Sequence, residues 1–180
     1  VNALETMRAL AKNASFANHR LLGACAQLSH ADLVAPRVSF FPSILETLNH
    51  IVLVDQFYLD ALVAEGRGRS IFAKGHDVHA ELEPLREAQR AVDAKLLRWL
   101  ESLTSDADLD RPVNVPRADH VSVERAGLVL LHTMNHAVHH RGQVHAMLAG
   151  TVVKPPQLDE GFLDEDLPLR RTEVDELGLR

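Results

Sequence analysis

Four long stretches of this chain repeat their apolar residues every three or four positions, which is the period of a helix with one buried face. They run from about Asn2 to Gln27, Ser43 to Ala64, Leu82 to Leu103 and Ser122 to Ala149. In the third, Leu85, Ala88, Val92, Leu96, Trp99 and Leu103 make a single stripe. Local signals agree with the ends. Asn2 with Glu5, and Ser43 with Glu46 directly after Pro42, have the spacing of capping boxes. Pro84 falls in a first turn, where proline is tolerated, and Gly150 follows the fourth stretch as a natural stop. The fourth stretch has apolar residues on most sides, which predicts a well-buried helix. Four long helices joined by a long crossing connection predict an all-α four-helix bundle.

The connections are unequal. Residues 28–41 are a long link containing Pro36, with Ser39, Phe40 and Phe41 as candidates for packing or docking. Residues 65–80 hold Gly66, Gly68 and Gly75 and read as a loop. Residues 104–121 hold Pro112 and Pro116, and the alternation of Val113/Val115 and Val121/Val123 suits either a short β-hairpin or an extended crossover. Residues 1–165 read as one bundle domain and 166–180 as an acidic C-terminal tail. The length of 180 residues fits one domain. A net charge of −6 argues against a nucleic-acid partner, because phosphate binding needs a dense basic patch. No apolar run reaches the ~18–20 residues of a membrane span, so no membrane partner is expected. A single cysteine, Cys25, excludes an intrachain disulfide and points to a reducing, cytoplasmic setting.

Eleven histidines stand out, since histidine is the commonest metal ligand. His136 and His140 are four residues apart, so a helix places both imidazoles on one face. Two such rings can meet one ion through bonds of about 2.0–2.1 Å. His50 is the best third ligand, because it lies in mid-helix in the apolar run Leu48-Asn49-His50-Ile51-Val52-Leu53. Three imidazoles buried without compensation would be costly, and a divalent cation removes that cost by taking a lone pair from each. Three protein ligands leave a coordination position for water or substrate, the pattern of catalytic rather than structural zinc. Zinc suits such a set; nickel, iron and manganese compete for it.

The run Asn135-His136 followed by His139-His140-Arg141-Gly142-Gln143 resembles the HxxxHRGQ signature of the DinB/YfiT-like superfamily of bundle metalloproteins. The resemblance extends to Phe16-Ala17-Asn18-His19-Arg20-Leu21-Leu22, to Ser43 and Thr47-Leu48-Asn49-His50 with Asp55 after it, to Leu109-Asp110, and to Pro155-Pro156. It covers most of residues 4–165 and is specific as a combination. It implies an up-down-down-up bundle, often a homodimer, with a divalent metal on three histidines, here His50, His136 and His140. It also implies kinship with thiol-dependent enzymes, among them S-transferases that use bacillithiol or mycothiol and a mycothiol-dependent maleylpyruvate isomerase.

The expected function is therefore that of a divalent-metal-binding protein. As an enzyme it would activate a thiol or water nucleophile, as a thiol S-transferase or, second, a hydrolase, acting on a small-molecule substrate with a low-molecular-weight thiol as partner. The alternative is a non-catalytic or stress-associated protein whose metal is structural or senses a ligand. Around the triad, His132, His139 and Gln143 fall within about 60° of His136 on a helical wheel, so they are candidates to orient a ligand; His132 or His139 could also replace one. Glu46 lies one turn before His50, as a cap, a hydrogen-bond acceptor or a general base. Arg141 points away from the ligand face, toward packing, a salt bridge or a helix end. Asp55 lies well round the helix from His50, and His145 on the side opposite His136. His76 and His79 read as solvated loop residues, and Cys25 as a small buried side chain.

Overall fold

The computed structural model describes residues 2–73, 79–159 and 163–179. In chain order the elements are α1 (Ala3–Cys25), α2 (His30–Val34), α3 (Ile44–Val63), α4 (Gly68–Phe72), α5 (Leu82–Ser102), β1 (Pro112–Pro116), β2 (Val121–Arg125), α6 (Ala126–Leu148) and α7 (Leu167–Glu176). Short 3₁₀ turns cover Asp106–Asp110 and Asp164–Asp166. The long helices are α1, α3, α5 and α6, and they form an all-α bundle with one small hairpin.

The helix starts follow from their first residues. Asn2 Oδ1 accepts from the Glu5 amide at 2.8 Å while the Glu5 carboxylate accepts from the Asn2 amide, a full capping box. At α3 only half of the expected box forms. Ser43 Oγ accepts from the Glu46 amide, but the Glu46 carboxylate takes the Ser43 hydroxyl rather than its backbone N–H. The end of α3 is Ala64 in the left-handed conformation, φ 58°, a position that usually favours glycine.

Side-chain pairs fix the helix directions. Arg8, early in α1, donates to the carbonyls of Leu100 and Leu103 at the end of α5, and Asn18 further along α1 reaches Asp93, so α1 and α5 are antiparallel. Asn49 contacts His79 just before α5, and Asp55 meets Gln89, so α3 and α5 are parallel. His50 faces His140 and Tyr58 faces His132, so α3 and α6 are antiparallel. The result is the up-down-down-up order, with α1 and α3 each flanked by α5 and α6.

Two large apolar clusters fill the two halves of the bundle. One includes Leu21, Leu48, Leu85 and Val144; the other includes Leu4, Phe57, Trp99 and Leu130. On α1, α3 and α5 a buried polar residue separates them: Asn18, Asp55, and Gln89 with Asp93. Arg141 of α6 joins this seam through its Nη1, which donates to Asn18 Oδ1 at 3.1 Å. Asn18 Nδ2 donates to Asp93, and Gln89 Nε2 donates to both Asp55 and Asp93.

Two sequence expectations need correction. The fourth helix begins at Ala126, not Ser122, because Val121–Arg125 pair with Pro112–Pro116 as an antiparallel hairpin. This helix is not buried all round: Leu128, Leu131 and Val138 are 48%, 40% and 58% exposed along one side. The acidic C-terminal stretch is helical in α7, and Val174 and Leu179 pack on Phe16 of α1. Glu173 of α7 also pairs with Arg20 at 2.6 Å. The links add two short helices, α2 and α4, that the sequence pattern did not suggest. Among the described residues no helix is long and apolar enough to cross a membrane.

Candidate metal centre

Mid-helix positions on two antiparallel neighbours bring His50 of α3 against His136 and His140 of α6. One ring nitrogen from each lies within 4.8 Å of the others. His50 Nε2 and His136 Nε2 are 2.9 Å apart. The ring centroids are separated by 4.8 Å for His50–His136, 4.5 Å for His50–His140 and 4.4 Å for His136–His140. His140 is buried and the other two are half-buried. The pair named from its four-residue spacing and the histidine named from its mid-helix apolar run thus converge, because the pair shares one face and the bundle turns that face toward α3.

Two features hold the rings in a ligating form. His140 Nδ1 is 2.8 Å from Gln143 Oε1. The amide oxygen can only accept, so Nδ1 carries the hydrogen and Nε2 keeps its lone pair. Gln143 Nε2 in turn lies 3.2 Å from His139 Nε2. Burial, followed by the neighbouring imidazoles His140, His50, His132 and His139, pushes His136 down to about 3. Burial also lowers His140, against the opposing pull of Gln143. Neutral imidazole is the form that binds a cation. His136 Nδ1 is buried without a hydrogen-bond partner among the described residues, so the ring's polar contact is on its Nε2 side. The three-imidazole donor set, with burial favouring the neutral form of His136 and His140, therefore fits a divalent cation.

The other candidates divide. Gln143 touches His140 directly. His139 stacks its exposed ring at 4.8 Å from that of His140. His132 is exposed, 6.2 Å from His136 between centroids, and its ring meets Tyr58 at 4.9 Å. Glu46 does not turn its carboxylate to an imidazole but holds the Ser43 hydroxyl at the start of α3. Arg141 and Asp55 point into the seam, away from the triad. There burial, then Asp93, pushes Asp55 up to about 7, and burial pushes Asp93 up to about 6. His145 is half-buried and bonds the Pro156 carbonyl. His79 is half-buried, not solvated, and its amide donates to Asn49. His76 lies outside the described residues. Cys25 is buried, and burial pushes its thiol up to about 12, which removes it as a nucleophile at neutral pH.

Phe41 was missed as a part of the site. Its ring lies 4.4 Å from His50 and 5.8 Å from His140, so the 28–41 link covers one side of the triad. On the other side a cavity of about 460 Å³ opens beside His136 and His132. Its far walls are α4 and the tip of the hairpin, which no local sequence signal places together.

No curated protein matches the chain in sequence. The model of the DinB family matches residues 4–168, a span that includes all four long helices and the histidine triad. The chain belongs to the DinB family.

Proposed function

We propose that this protein is a metal-dependent enzyme in which His50, His136 and His140 hold one divalent cation, zinc or nickel before iron or manganese. The single observation that carries this reading is the convergence of three imidazoles beside an open cavity. Such an ion supplies Lewis acidity, lowering the pKa of a thiol or water placed in its remaining coordination position. The chain's own residues do the rest. Gln143 fixes the His140 tautomer, Phe41 excludes water from one side, and the cavity admits a guest from the other. The reaction class is transfer of a low-molecular-weight thiol to a small electrophile, with hydrolysis second. The cavity beside His136 favours this over a structural metal, which would be closed by a fourth protein ligand. The test is turnover of electrophiles with several thiols by zinc- or nickel-loaded protein. Activity that disappears in His136→Ala supports the reading, and equal activity in both proteins overturns it.

We further propose that the chain pairs with a second copy through the exposed side of α6. Leu128, Leu131 and Val138 form an apolar line there that no element of the chain covers among the described residues. Sedimentation should give a dimer for the wild type and a monomer for Leu131→Glu.

A further inference from the structure

The cavity beside the triad has a composition that selects its guest. From α3 come Phe57 and Tyr58, and from α4 Phe72. Their rings run in series: Phe72 to Phe57 at 4.8 Å, Phe57 to Tyr58 at 5.0 Å, and Tyr58 to His132 at 4.9 Å. This aromatic wall leads to His136. The opposite chemistry comes from α4 and the hairpin tip, which add Arg69 and Arg117. No carboxylate lines the cavity among the described residues. Arg117 is already steadied, donating to Ser122 Oγ at 3.0 Å and lying 3.8 Å from Glu124. The Arg69 guanidinium has no hydrogen-bond or ion-pair partner among the described residues. Arg69 is exposed, so it stands at the rim of this aromatic cavity; a rim arginine with no carboxylate opposite suits one negative charge on a flat apolar body.

Gly68 is what lets this wall form. A Cβ there would meet Pro116 Cγ at 2.8 Å and Phe57 Cε2 at 3.2 Å, so only glycine brings Arg69 and Phe72 this close to the hairpin.

We propose that the cavity binds a small aromatic monocarboxylate, its ring on the Phe57–Tyr58–Phe72 wall and its carboxylate on Arg69. As the substrate of the metal centre, this assignment rests on the function proposed above; as a binding site, it stands on the cavity alone. A monoanion is favoured over a phosphate because Glu124 already partly offsets Arg117.

The experiment is an NMR titration of the full chain with 3-phenylpropionate, its uncharged amide, propionate and phenyl phosphate, in chelator-treated and zinc-loaded forms. The acid should bind both forms, at least about tenfold more tightly than the amide or propionate. Arg69→Gln should bring the acid down to the amide's affinity and leave the amide unchanged. Phe72→Ala, at a half-exposed ring, should weaken acid and amide alike. Equal affinity of acid and amide in the wild type overturns the proposal, as does an unchanged ratio in Arg69→Gln. Tighter binding of phenyl phosphate overturns the carboxylate assignment. Acid binding only by the zinc-loaded form, unaffected by Arg69→Gln, places the anion on the ion and overturns it too. If the chain takes up no zinc yet the acid binds through Arg69, the metal reading fails and the site stands.

Discussion

Asp55 sits in the middle of the bundle with its Oδ1 unpartnered among the described residues, and replacing it by asparagine isolates the cost of its charge. Burial raises its pKa from 3.8 to about 7. A carboxyl raised on folding binds its proton more tightly in the folded state. Its contribution to stability is therefore fully present below about pH 4 and is lost as pH rises through 7. At about 1.4 kcal/mol per pKa unit, the loss between pH 5 and pH 7 is about 2 kcal/mol. Asparagine keeps the shape and can still accept from Gln89, but it does not ionise. Arg141 retains Asp93 as its counter-charge. Urea unfolding of chelator-treated protein at pH 5, 6 and 7 measures the difference between wild type and Asp55→Asn. Contributions from the histidines are common to both proteins and cancel. The variant should gain about 2 kcal/mol on the wild type over that range. A difference that does not change with pH, or that moves the other way, refutes the buried-charge argument.

Three more outcomes follow from the same geometry. Gln143→Ala removes the acceptor that fixes the His140 tautomer, and zinc affinity measured by competition with a chelating dye should fall about 10–100-fold. His136 is lowered on folding, so its contribution to stability is present above its ordinary value near 6.5 and is lost as pH falls toward about 3; acid unfolding of metal-free His136→Gln should be shallower than that of the wild type across this window. Gly68→Ala should cost about 1–3 kcal/mol in urea melts by forcing α4 off Pro116 and Phe57, while Gly142→Ala, where a Cβ meets nothing, should not destabilise.

The parts of this molecule that local spacing controls could be read from the sequence. The period of Leu85 to Leu103 marks α5, and the four-residue step from His136 to His140 marks a shared face. Competing local signals blurred the start of α6: the alternation of Val121 and Val123 belongs to β2, and a helical pattern overlaps it. Glu46 has three readings at one spacing, as a cap, an acceptor or a general base, and its carboxylate is engaged with the Ser43 hydroxyl at the start of α3. What depends on distant chain segments was not legible. Arg141 could be expected in a salt bridge, but its partners Asn18, Asp55 and Asp93 lie on three other helices. The covering of His50 by Phe41, and the meeting of Arg69 with Arg117 across the cavity, depend on how the links fold back. The C-terminal stretch has little period of its own, and α7 is held through Val174 and Leu179 on Phe16 and through Glu173 on Arg20.

Metal stoichiometry tests the central claim most directly. Isothermal titration of chelator-treated protein with zinc and with nickel, checked by elemental analysis after desalting, should give one ion per chain. His50→Ala and His136→Ala, shown to be folded by circular dichroism, should each retain none. A wild-type chain that holds no ion, or variants that bind as the wild type does, would contradict a metal centre built from these three rings.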